Sequence, residues 1–306
     1  MLVFEDSFYD GEWRGDFFVA GEMKRAWAAQ MELLMEIDRI CKKHDIQYYA
    51  DAGTLLGAIR HKGFIPWDDD LDIAMKRKDY ERFFVVAKEE LPRSYKIGNI
   101  HNNVGWEEPF MRIINGDKVN FTKGHLERWH RCPWVIGVDI FPIDHLPDNL
   151  EERELMIDLY MLIRTVASHI KEGIDTPEVW EGVAGIEELC HVKLEKSNII
   201  SELLHLADKI LRLYEKDEVK DMSILVYMGA NRSNIYKREW YEQVVDMPFE
   251  NITLPVPIGY DEILKAKYGD YSVPVREELH AYPFYAEQKK QWEEHLLNKQ
   301  KAEYSE

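Results

Sequence analysis

No stretch of this 306-residue chain approaches the roughly 20 consecutive apolar residues that a membrane-spanning helix needs, so no span is expected. Cysteine is scarce: Cys41, Cys132 and Cys190 are far apart, odd in number and without a CxxC spacing. That pattern excludes a disulfide framework and a structural zinc site and leaves buried or incidental thiols. Positive charge is in deficit, with 39 Lys and Arg against 57 Asp and Glu and a formal net charge of -18. A field of that sign repels nucleic acid and anionic lipid, which excludes non-specific binding to either. A small anionic substrate then requires a local group of cations or a metal. Gly/Ser linkers, internal repeats and low-complexity runs are also missing. The opening "MLVFEDSFYDGEWRGDF" has no basic segment leading into an apolar one, so it does not read as a signal peptide, and a cytoplasmic location is expected.

What is present is enough apolar material, 45% hydrophobic and 12% aromatic residues, to build a packed core in one large domain or two smaller ones. Residues 22–44 carry Met23, Trp27, Met31, Leu34, Ile37 and Cys41 at three- and four-residue intervals, which predicts an amphipathic helix ending in Lys42, Lys43 and His44. A short strand in "IQYYADAG", a glycine turn and a short helix in "TLLGAIRH" opening at Thr54 are expected next. Further strands are expected at 71–75, near 95, near 110 and at 134–143, with a helix at 78–91. This mixture predicts an α/β or α+β domain over residues 1–148. From 149 to 306 the pattern turns mainly helical, with Thr176 before Pro177 as a helix start. A C-terminal segment of strand, turn and short helix is expected to fold back on the first part, so one continuous domain is the alternative to two.

One block stands out: "DAGTLLGAIRHKGFIPWDDDLDIAM", residues 51–75, sets Asp68, Asp69, Asp70 and Asp72 within five positions. Like charges this close repel, and an acidic surface turn after Pro66 or a cation among them are the two ways to accommodate them. A calcium loop is excluded, because counting from Asp68 places Ile73 at the sixth position and Asp79 at the twelfth, where glycine and glutamate are required. On an extended strand Asp70 and Asp72 share a face, about 7 Å apart at Cα, so their carboxylates can converge on Mg²⁺ or Mn²⁺. Upstream, "AGTLLG" can present backbone N–H groups to a phosphate. A phosphate cradle beside a metal mount is what transfer chemistry at a nucleotide phosphate requires.

The same block resembles the signature of the LicD-type phosphotransferases, members of the nucleotidyltransferase superfamily related to the fukutin group. The resemblance continues through "GVDIFPID" (137–144) and "LPVPIGYDEILKAKYGDY" (254–271) and is weakest over 150–235. It implies a nucleotidyltransferase fold, a small mixed β-sheet flanked by helices. By the resemblance, Gly53 and Thr54 face the donor phosphates, Asp70 and Asp72 hold the metal, and Asp139, flanked by Val138 and Ile140, is the third carboxylate, as general base or shared ligand. Arg60, His61 and Lys62 are the cations nearest the glycine turn, and Arg112, Arg276 and His280 are further phosphate candidates. Trp67 is expected to shield the site, while Trp106, Trp129, Trp134 and Tyr271 receive no role.

The activity implied is a metal-dependent transfer of a phosphocholine-like group from CDP-choline to a hydroxyl of a cell-surface glycan or glycolipid precursor, with release of CMP. Alternatives are transfer of phosphoethanolamine, 2-aminoethylphosphonate or a polyol phosphate, nucleotidyl transfer to a small hydroxylated substrate, and a catalytically silent binding protein. The expected partners are a cytidine-nucleotide donor and a glycan or glycolipid acceptor, with no nucleic acid and any membrane contact made peripherally through the acceptor.

Overall fold

The computed structural model describes residues 1–102, 106, 108–215, 218–228, 232, 234–276 and 286–303. It opens with a hairpin of β1 (Glu12–Arg14) and β2 (Phe17–Val19), strands too short for alternation to signal them. The helical stripe then gives α1 (Gly21–Lys43), in which Met23, Trp27, Met31, Leu34, Ile37 and Cys41 are all buried. Each large apolar side chain so buried contributes about 1.5–3 kcal/mol, which makes α1 the central rod of the core. The chain continues with β3 (Tyr49–Ala50), α2 (Ala52–Arg60), β4 (Asp72–Lys76), α3 (Arg77–Glu90), β5 (Lys96–Gly98), β6 (Met111–Ile114), α4 (Lys123–Arg128) and β7 (Gly137–Leu146). Helix α2 starts ahead of Thr54, with Asp51 as its N-cap residue.

The first five of these sheet strands lie in the order β3-β4-β7-β6-β5. Only the β4–β7 pair is parallel among them, so the sheet is mixed. Its register sets Asp72 of β4 opposite Asp139 of β7, and Asp139 opposite Arg112 of β6. Three chemically active side chains thus occupy one row across three strands.

After β7 come α5 (Leu150–Lys171), α6 (Pro177–Cys190), capped at Thr176, and α7 (Ile199–Leu211). Strands β8 (Asp221–Ser223) and β9 (Ile235–Lys237) extend the sheet from the far half of β7. A hairpin of β10 (Val244–Phe249) and β11 (Ile252–Pro257), then α8 (Tyr260–Tyr268) and α9 (Ala286–Glu303), complete the described chain. No helix among the described residues is long and apolar enough to cross a membrane.

Two apolar cores result. One joins α1 and the sheet to Phe249, Leu254, Val256, Ile263 and Leu264, so the C-terminal hairpin and α8 pack on the first part of the chain. The other is formed by α5, α6 and α7 with Leu146, Leu225 and Met228. Arg77, only 4% exposed, ties them together. Its Nε and Nη2 donate to the two oxygens of Asp144 on β7 at 2.6 and 2.8 Å, and its Nη1 donates to Asp208 on α7 at 2.9 Å.

Removing one member of a buried charge cluster strands the others without compensation. Arg77→Met is therefore expected to lower the unfolding free energy by about 3–5 kcal/mol in urea denaturation. Lys42→Met, which removes a pair whose lysine is 77% exposed, is expected to change it by less than about 1 kcal/mol.

A second buried charge gives a pH signature. Burial pushes the Glu32 carboxyl up, but hydrogen bonds from His130, the Leu2 N–H and Arg128 outweigh it and bring the carboxyl from 4.5 down to about 2. A group depressed on folding stabilises fully above its unfolded value and loses that contribution as pH falls. The stability difference between wild type and Glu32→Gln should therefore shrink as pH falls from 4.5 towards 2 in acid urea titrations.

Candidate active site

The acidic run is held from behind by α1. Trp27 Nε1 donates to the Asp68 carbonyl at 2.9 Å, and Gln30 Nε2 donates to the Asp69 carbonyl at 2.6 Å. Phe64, just upstream, stacks on Trp27 with ring centroids 4.6 Å apart. Leu71 and Ile73 are buried on the opposite side from Asp72, as alternation along a strand requires. The apolar residues fix the backbone, and the carboxylates have nowhere to go but outward.

They face a cleft of about 420 Å³. Its lining includes the acids Asp68, Asp70 and Asp72, the start of α2 at Ala52 and Gly53, and Lys267, Tyr268 and Tyr271 from α8 and the segment after it. Arg60 and Trp67 also line it. A β-carbon on Gly53 would stand 2.3 Å from Asp68 Oδ2, so this position is glycine because a carboxylate presses against the backbone. Ala52, beside it, has φ +46°, a left-handed conformation that costs a non-glycine residue on the order of 1–3 kcal/mol and is held by the surrounding packing.

Carboxylate oxygens of Asp68, Asp69 and Asp70 lie within 4.8 Å of one another. These are hard oxygen donors on a fixed backbone, a set that fits a divalent cation such as Mg²⁺ or Mn²⁺. Electrostatics supports the fit. Burial, then Asp70 and Asp69, push the Asp68 carboxyl well above the usual range. Burial, then Asp70, Asp139, Asp51 and Asp68, do the same to Asp72.

The structure sorts the expected residues into three groups. Gly53, Arg60, Asp70, Asp72 and Trp67 line the cleft together. Arg60 Nη1 also donates to the Tyr271 carbonyl at 2.8 Å, which draws the segment after α8 against α2. Thr54 is placed differently from expectation: it is buried, and its Oγ1 accepts from the Asp72 N–H at 2.8 Å, so it fixes β4 against α2 instead of facing the cleft.

Asp139 lies next to Asp72 but outside the cleft lining. Both of its oxygens are taken by Arg112, Nε to Oδ1 and Nη2 to Oδ2, the latter at 2.6 Å. Burial pushes the Asp139 carboxyl up, and Arg112 pulls it part of the way back. Arg112 is thus engaged with a carboxylate at the position where a phosphate contact was expected. Lys62 does not reach the cleft either: it is exposed, at a turn with φ +55°. His61 is half-buried, and burial, then Arg60 and Arg14, bring its imidazole down to about 4, which makes it a neutral residue of the turn. Arg276 lies over the Phe17 ring at 4.8 Å, and His280 falls outside the described residues.

Three contributors escaped the sequence reading. Asp68 and Asp69 are in the quoted run, yet strand geometry selected only Asp70 and Asp72, because the residues before β4 are irregular and can turn their side chains inward. Lys267, in the last turn of α8, is 12% exposed at its side chain, with Nζ 3.7 Å from Asp51 Oδ2. Its signal was the block "KAKYGDY", which carried resemblance but no assigned chemistry.

Residues 45–158 match the family described as LicD/FKTN/FKRP, nucleotidyltransferase domain. Over 249 residues the chain is 26% identical to the lipopolysaccharide cholinephosphotransferase LicD of Haemophilus influenzae, an alignment covering 79% of this chain and 88% of that protein. Over 112 residues it is 30% identical to the ribitol 5-phosphate transferase FKRP of Homo sapiens, covering 34% of this chain and 20% of that protein. The family match contains α2, β4 and β7, on which the acidic lining and its supporting pair are built. Residues 45–158 thus match a LicD/FKTN/FKRP nucleotidyltransferase domain, and along most of its length the chain is similar to a phosphotransferase of that kind.

Proposed function

We propose that this chain moves a phosphocholine-like group from CDP-choline to a hydroxyl of a cell-surface glycan or glycolipid precursor, releasing CMP. The observation that carries the reading is one cleft lined both by Asp68, Asp70 and Asp72 and by Arg60 and Lys267. Anionic phosphates are accommodated there in a chain whose overall charge would repel them. The likeness to a lipopolysaccharide cholinephosphotransferase along most of that protein supports the head group and the kind of acceptor.

In the reaction, the acceptor oxygen forms a bond to the phosphorus that carries choline. The bond from that phosphorus to the oxygen shared with CMP breaks, and CMP leaves with the bonding pair. The acceptor proton passes to the Asp72 carboxylate, which lines the cleft and has Asp139 beside it across the parallel β4–β7 register. Arg112 holds Asp139 by both oxygens and so orients the pair. Gly53 lets the donor phosphates approach the start of α2, and Arg60 and Lys267 balance charge on the departing nucleotide. Bound Mg²⁺ or Mn²⁺, held by Asp70 with Asp68 and Asp69, would supply charge neutralisation at the donor phosphates.

A second head group is favoured by one finding, the likeness to a ribitol 5-phosphate transferase, so a polyol phosphate is the alternative cargo. The two are separated by calorimetric titration of CDP-choline, CDP-ethanolamine, CDP-ribitol, CTP and ATP into wild type and Asp70→Asn, with Mg²⁺, with Mn²⁺ and with chelator. CDP-choline is expected to bind only with metal and to lose binding in the variant. Mass analysis of product should then give an acceptor heavier by phosphocholine. Donor binding indifferent to both metal and Asp70 would sink the reading, and an acceptor that gains a nucleoside monophosphate would replace it with nucleotidyl transfer.

Gly53→Ala tests the cleft lining at the start of α2. The added methyl must displace the Asp68 carboxylate, and a misplacement of about 1 Å in a transfer site costs about 100-fold in rate. Steady-state transfer is expected to fall by that order, while far-ultraviolet circular dichroism stays that of wild type.

A further inference from the structure

A second concavity, of about 560 Å³, shares no lining residue with the transfer cleft. Tyr9 from the N-terminal segment, Arg25 from α1, Phe121 and Lys123 around the start of α4, and His130 and Arg131 from the turn after it form its walls. Two acids also line it, Asp6 and Glu127. Glu127 pairs with Lys123 at 3.7 Å, one helical turn away. Among the described residues, neither Arg25 nor Arg131 forms an ion pair, with Asp6 or with any other carboxylate. In a chain of net charge -18, two guanidiniums line one concavity with no carboxylate paired to either among the described residues.

Both are prepared rather than loose. Arg25 lies over the Tyr9 ring at 5.0 Å, and its Nη1 is buried without a hydrogen-bond acceptor. A buried donor in that state is costly, and an incoming acceptor relieves the cost. Arg25 and Arg131 both act on the Tyr9 hydroxyl, against burial and the more weakly felt Asp6 and Glu32, and both line the same concavity. Arg131 is presented by strained backbone: His130 and Arg131, neither of them glycine, have φ of +54° and +61°.

Hydrogen bonds lock that turn. The Arg131 N–H donates to the Leu126 carbonyl at 2.7 Å, and the Cys132 N–H donates to the Trp129 carbonyl at 2.8 Å. The His130 ring bridges the Tyr9 hydroxyl at 3.0 Å and Glu32 at 3.2 Å, tying the turn to both the N-terminal segment and α1. Strain held at a basic concavity points to a ligand, and guanidinium forks match the oxygens of a tetrahedral oxyanion.

We propose that Arg25 and Arg131 form a second binding site, separate from the transfer cleft, for a phosphate group on a free metabolite or a lipid headgroup. The test uses the full chain. Inorganic phosphate and glycerol 3-phosphate are titrated calorimetrically, and co-sedimentation is measured with phosphatidylcholine vesicles, with and without phosphatidic acid. Binding in one arm is expected, and it identifies the source of the phosphate. Arg131→Gln, an exposed position that leaves the core intact, is expected to weaken that binding at least about tenfold. Arg25→Gln combined with it should abolish binding. Phosphate binding that Arg131→Gln leaves unchanged would belong to the transfer cleft and would overturn the proposal, as would binding in neither arm.

Discussion

Mutual repulsion of carboxylates is the constraint around which this molecule is organised. Asp51, Asp68, Asp70, Asp72 and Asp139 are brought together by α2, β4 and β7, in surroundings that raise Asp68 and Asp72 well above the usual carboxylate range. Left to themselves they would spread apart. They do not, because the backbone carrying them is gripped by groups that do not titrate: Trp27 and Gln30 on the loop carbonyls, Thr54 on the Asp72 N–H, and Leu71 and Ile73 in the core. Apolar burial holds the frame, and electrostatic strain is confined to the side chains facing the cleft.

Cations meet that strain at its edges. Arg112 takes Asp139 on one flank, and Lys267 approaches Asp51 on the other. Lys267 comes from α8, more than two hundred residues along the chain. It is carried there by the C-terminal hairpin and α8, whose Phe249, Leu254, Val256, Ile263 and Leu264 pack into the first core. The same logic recurs at larger scale in Arg77, whose guanidinium satisfies a β7 carboxylate and an α7 carboxylate at once and fixes the helical core against the sheet that bears the site.

Legibility in the sequence followed the range of each interaction. Helix α1 could be read because its apolar stripe repeats over six turns, and the acidic run because five adjacent positions carry the anomaly. Hairpin β1–β2 could not, since three residues per strand hold too little alternation to distinguish it from a loop. The Asp72–Asp139 neighbourhood was legible as resemblance, but its partner was not. That Arg112 stands opposite Asp139 is a fact of β6–β7 register, the two being 27 positions apart, and no local pattern encodes it. An arginine on a strand near a phosphate site was therefore read as a phosphate ligand when its nearest anion was built into the protein. Thr54 was misread for a related reason: a hydroxyl at a helix start looks like a cap or a phosphate donor until the neighbouring strand claims it.

Arg112 and Arg60 show how placement, more than residue type, divides structural from functional charge in an acidic protein. Arg112 sits on a central strand, where its fork meets a carboxylate at fixed register and the pair is closed. Arg60 is at the end of a helix, where its guanidinium reaches a backbone carbonyl on Tyr271 and keeps its charge undivided toward the cleft. A carbonyl orients a guanidinium without neutralising it, whereas a carboxylate does both. Of the candidate phosphate ligands, those held by neutral acceptors or by packing keep their charge for a ligand. Arg112, held by both oxygens of an aspartate, has spent it on the fold.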